Sequence, residues 1–161
     1  ENRKDGIILA QPGALLRSWR EEYRKPAGRR IRRYTLFHGD QLSKQLSGRL
    51  NAKPHHPRAI LSAHSAAQWL APFGRGGTDS FYADEPGARM LKEVLKLTHV
   101  ERGANIIVNI PRDESLFDDA AQPATDIYCA SPIVTYLDLW LGNDRDRETA
   151  EHLASKYFPW L

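Results

Sequence analysis

Arginine offers the densest chemistry in this chain. Arg17, Arg20, Arg24, Arg29, Arg30, Arg32 and Arg33 all fall near the front. A guanidinium grips phosphate oxygens through paired hydrogen bonds and displaces counterions from a polyanion. Residues 1–33 hold ten Lys/Arg against four Asp/Glu, a charge of +6, so the other 128 residues sum to −3 within a total of +3. A polyanion therefore meets this end first. The seven arginines, with Tyr34 beside them, are the candidate nucleic-acid-binding residues. A solvated helix face followed by a soluble linker is the competing account, and the residue types alone leave both open.

Other polar clusters fit catalytic templates poorly. The run Asp144, Arg145, Asp146, Arg147, Glu148 follows Gly142 and Asn143, ordinary helix-ending residues. Asp144 or Asp146 is expected to cap a new helix, with Glu148 in its first turn and Arg147–Glu151 as a surface pair. His38, His55, His56, His64, His99 and His152 include no HExxH-like pair, so no metal is expected. Asp113, Glu114, Asp118 and Asp119 lack calcium-loop spacing. "GRGG" at 74–77 is not followed by Lys-Ser/Thr, and Ser62 and Ser65 beside His64 lack a nucleophile elbow. No catalytic residue and no cofactor are assigned. Cys129 is the sole cysteine, which rules out an internal disulfide and a cysteine-rich zinc site. The reducing cytoplasm is the expected compartment.

The elements that must position these residues follow from periodicity. Of the 161 residues, 41% are hydrophobic and 27% charged, enough for a core and too few apolar runs for a membrane span of about 20 residues. The front lacks an initial Met and a signal-peptide core, and reads as cut from a longer protein. "DGIILAQPG" predicts a short strand and a turn. A helix then starts near Pro12, with Leu15, Leu16, Trp19 and Tyr23 as its stripe. "IRRYTLFHG", "RAILSAH", "TDSFYAD" and "IYCA" read as strands. "QLSKQLSGRL" capped by Asp40, "SAAQWLAPF" capped by Ser65, and "EPGARMLKEVLKL" read as helices. Gly103 between "THVER" and "ANIIVNIP" reads as a hairpin turn. "RDESLFDDAAQPATD" reads as an acidic loop. "SPIVTYLDLWL" and "DRETAEHLASKYF" close the chain as two helices, burying Tyr136, Leu137, Leu139, Trp140 and Leu153. The expected class is α+β: a mixed sheet packed with helices.

The segments "PGALLRSWREEYR", "RRYTLF", "AILSAHSAAQWLAPF", "VERGANIIVNIPRDESLF" and "ASPIVTYLDLWLGNDRDRETAEHL" together resemble the AbiEi-type antitoxins, transcriptional regulators of type IV toxin–antitoxin systems. The resemblance spans almost the whole chain. It implies a winged helix that binds operator DNA, followed by a larger domain acting against a nucleotidyltransferase-like toxin. Residues 1–28 then correspond to the end of the winged domain and a linker helix, and residues 29–161 to the antitoxin-type domain. "DGIILAQPG" would be the last wing strand, with the recognition helix upstream. The family's Gly-Arg-Gly-like turn is replaced here by "GNDRDRETA". Two other readings stand beside this one: a metal-dependent nuclease using acids between Asp113 and Asp126, and a protein-interaction domain without nucleic acid.

Overall fold

The computed structural model describes residues 2–3, 6–74 and 76–161, with the side chains of residues 2, 3, 6 and 7 left aside. Glu1, Lys4 and Asp5, which enter the front-end charge, and Arg75, within the expected 74–77 turn, lie outside the described residues. The first hairpin pairs β1 (Asn2–Arg3) with β2 (Gly6–Ile7). It stands where the resemblance places a wing strand, but Ile8 and Leu9 are exposed beyond it.

A mixed six-stranded sheet forms the centre. Its strands are β3 (Gly28–Arg33), β4 (Ala59–Leu61), β5 (Asp79–Ala83), β6 (Ile106–Pro111), β7 (Ala121–Ala124) and β8 (Ile127–Cys129). They lie side by side in the order β3, β6, β5, β4, β8, β7, with β5–β6 and β4–β8 parallel and the other neighbours antiparallel. The helices are α1 (Pro12–Glu22), α2 (Gly39–Leu46), α3 (Ala63–Leu70), α4 (Glu85–Val94), α5 (Pro132–Trp140) and α6 (Asp144–Tyr157). The sheet and helices make the α+β class expected.

Strand alternation divides the core. Register aligns Ala59 with Ala83, Leu61 with Phe81, and Phe81 with Val108, so these share one face. They join the main core cluster with Leu42, Leu46, Leu91 and Leu95. Ile60 and Tyr82 point the other way and pack with Phe117 and Ala130. Helix starts are fixed by local chemistry. Asp84 accepts from Gly87 N–H, and Ser131 from Val134 N–H at 3.3 Å, each before a proline in the first turn.

Several local expectations are corrected. The helix after "RAIL" starts at Ala63 with Ser62 as its N-cap, while Ser65 sits inside it and accepts from Ser80 N–H at 3.1 Å. His38, not Asp40, precedes α2, and Asp40 lies in its first turn. The hairpin at Gly103 is absent: β6 pairs with β3 and β5, and Thr98 bridges only to Tyr34. Non-local pairing with the arginine strand has won over the local turn signal. The acidic loop contains a 3-10 turn at Glu114–Phe117 and β7. Tyr136, Leu137, Leu139 and Leu153 are buried as expected. Trp140, expected to be buried, is half-buried: it packs against the main core and lies under Arg20, whose guanidinium carbon is 4.0 Å from its ring centroid.

Gly87 is a point of close approach: an added Cβ would collide with the backbone carbonyl of Arg58 at the entrance to β4. Gly87→Ala should push α4 away from the sheet and cost about 1–3 kcal/mol, the range for overpacking. Urea denaturation reads this, and an unchanged midpoint would show that the contact relaxes freely.

Candidate nucleic-acid interface

The seven arginines do not form one surface. Arg17 Nη1 donates to the Leu161 carbonyl at 2.8 Å, and Arg20 Nη1 donates to the Tyr136 hydroxyl at 3.0 Å. With Leu16 buried, these contacts fasten α1 to the C-terminal helices. Arg24, beyond the end of α1, donates to the carbonyls of Glu22 and Tyr23. The other four lie on β3, the outer strand of the sheet. Arg29 pairs with Glu85 at 2.9 Å across an exposed gap. Arg33 donates to the Arg32 carbonyl, and Arg32 is exposed. Arg30 turns with Arg32 to the face opposite Arg29 and Arg33, where it lines a cleft with Lys25.

A buried carboxylate lies beneath that cleft. Asp138, 4% exposed in the middle of α5, accepts from Tyr82 Oη at 2.7 Å and from Tyr23 Oη at 2.9 Å. Burial pushes the Asp138 carboxyl above the usual range, opposed by the Tyr82 bond, the nearby charge of Lys25, the Tyr23 bond and the charge of Arg30. Burial and the adjoining carboxylate push both tyrosine hydroxyls far upward, so they remain donors.

The remaining polar residues are spent on structure. Asn143, rather than Asp144 or Asp146, is the N-cap of α6, and a reciprocal bond from the Asn143 N–H to the Asp146 carboxylate completes a capping box. Gly142 is required there, because a Cβ would run into the Asp146 side chain. Arg147 faces Asp144 and the Trp140 carbonyl instead of Glu151. His64 Nε2 contacts Asp146 Oδ1 at 2.8 Å. His152 stacks on Phe73. In the acidic stretch, Asp113 caps the 3-10 turn through Ser115 N–H, and that bond lowers its pKa. Glu114 is taken up by Arg58, which also binds Asp84. Among the described residues, no group of three His, Cys, Asp or Glu side chains is placed to hold a metal ion. The Cys129 thiol, fully buried, is pushed up to about 12 and stays protonated.

Sequence reasoning passed over Tyr23, Lys25, Tyr82, Asp138 and the His64–Asp146 pair. A signal for Asp138 was present: a lone acid inside "TYLDLW" must be buried with donors supplied from elsewhere.

Residues 8–158 match a family model described as "Transcriptional regulator, AbiEi antitoxin, Type IV TA system". The class is that of transcriptional regulators. With nearly the whole chain matched, the protein belongs to the AbiEi antitoxin family of type IV toxin–antitoxin systems. Neither a curated protein nor a solved structure matches it. No helix among the described residues is long and apolar enough to cross a membrane.

Because the folded carboxyl of Asp138 is raised, its contribution is fully present below the unfolded value, about 3.9. It is lost as pH rises through the window up to the folded value. The unfolding free energy of wild type minus that of Asp138→Asn should therefore fall across this window. Urea melts of both proteins over a pH series test this, and a difference that rises with pH would show that Asp138 is stabilised as the anion.

Proposed function

We propose that this protein is a DNA-binding repressor and antitoxin. In this reading, exposed arginines at the front meet DNA phosphates, and residues 29–161 act against a nucleotidyltransferase-like toxin. The observation that carries the DNA part is the outer strand β3, whose sequence GRRIRR holds Arg29, Arg32 and Arg33 outside the cleft at an open edge of the sheet. Arg24, Arg29, Arg32 and Arg33 are the groups assigned to phosphate. Arg17 and Arg20 serve to hold α1, and Arg30 faces the cleft. The family's description as both regulator and antitoxin supports the pairing of the two roles.

Phosphate contacts fix position and carry no sequence information. The 161-residue chain should bind duplex DNA without sequence preference, at roughly 10⁻⁴–10⁻⁶ M, the range typical of non-specific binding. Affinity should fall steeply with salt, and Arg32→Ala with Arg33→Ala should flatten the salt dependence. Titration against promoter and scrambled duplexes at two salt concentrations checks this. Tight promoter-selective binding would place base readout within these residues. Absence of binding at low salt would give the arginines a protein-facing role.

A further inference from the structure

A cleft of about 500 Å³ opens between the sheet and the corner where α5 meets α6. Three cations from separate stretches of chain line it: Lys25 after α1, Arg30 on β3 and Arg145 in the first turn of α6. None of the three enters an ion pair among the described residues. The two carboxylates of its wall are already engaged. Asp138 holds two tyrosine hydroxyls. Asp146 holds His64 and the Asn143 N–H. Asp138 offsets part of the charge of Lys25 and Arg30, and the remaining positive charge of the hollow, that of Arg145 above all, is left for something from outside.

The rest of the lining narrows its chemistry. An added Cβ at Gly77 meets nothing within 4 Å, so the rim there is bare backbone. Ser80 adds a hydroxyl, and Ile107 and Leu141 give an apolar border. Three cations spread around a hollow suit an anion with several acceptor oxygens facing different ways, which a phosphate chain has and a single carboxylate lacks. The volume lies in the ordinary range for small-molecule sites, roughly 300–1,000 Å³.

We propose that this cleft binds a phosphorylated small molecule, gripped by Lys25, Arg30 and Arg145. Such a ligand ties the linker after α1 and the arginine strand to α6. The site is independent of the DNA reading, because Arg24, Arg29, Arg32 and Arg33 do not line it.

Calorimetry and thermal melts with ATP, pyrophosphate and sulfate at matched ionic strength test the proposal. ATP and pyrophosphate should bind and raise the melting temperature, and sulfate should not. Arg30→Ala and Arg145→Ala should each weaken binding roughly tenfold or more, the loss expected for a charged hydrogen bond. Arg102→Ala, at an exposed residue outside the cleft, should leave it unchanged. Arg145→Lys, which keeps the charge, should retain part of the affinity even if Arg145→Ala disturbs α6. Equal binding of ATP and pyrophosphate would assign recognition to the phosphate chain, and tighter ATP would assign the nucleoside to the apolar border. No binding of either compound overturns the proposal, as does an equal response to sulfate or undiminished binding in both alanine variants.

Discussion

The fold is organised around one buried carboxylate. Asp138 enters the interior on α5, and an ionised acid there without donors would cost several kcal/mol. Two phenols meet it. Tyr82 comes from the middle of the sheet and Tyr23 from the end of α1, so one side chain ties together a helix, a strand and the front of the chain. The same knot fixes where the chain goes next. Lys25 and Arg30 follow Tyr23 closely and are therefore held over the region that α5 and α6 enclose.

Around that knot, helix positions are set largely by short-range chemistry. Ser131, Asp84 and Asn143 each satisfy backbone donors that a helix start leaves open. Their neighbours follow from this: Asp146 must fold back to the Asn143 N–H, which leaves room only for glycine at 142. The charged run that resembles a site in one dimension is a capping device in three.

What could be read from the residues divides along the same line. Helices α4, α5 and α6 were legible because their apolar residues and caps lie within a few residues; α1 was legible from Pro12, but of its expected stripe only Leu16 is buried, while Leu15 and Trp19 are exposed. Strands β4 and β5 were legible as short apolar runs between breakers. The partner of β6 was not, since Gly103 advertises a local turn while the actual neighbour, β3, lies more than seventy residues earlier. The site followed suit. The arginines were visible as a cluster, but nothing in their spacing separates Arg20, bonded to Tyr136 and stacked over Trp140, from Arg32, which stands exposed. The convergence of Lys25, Arg30 and Arg145 depends on the long-range path of the chain, which composition cannot report.

The arginine strand has a second consequence, for how copies of the molecule meet. An open sheet has two outer strands, each with unpaired backbone groups that invite another chain. Here one border carries guanidinium groups on alternating sides, so a second β3 approaching it brings like charge against like. The other border, β7, is four residues long and holds Pro123, which has no N–H to offer. Neither rim is a good template for its own kind, and the sheet is protected against growing sideways into fibrous aggregates.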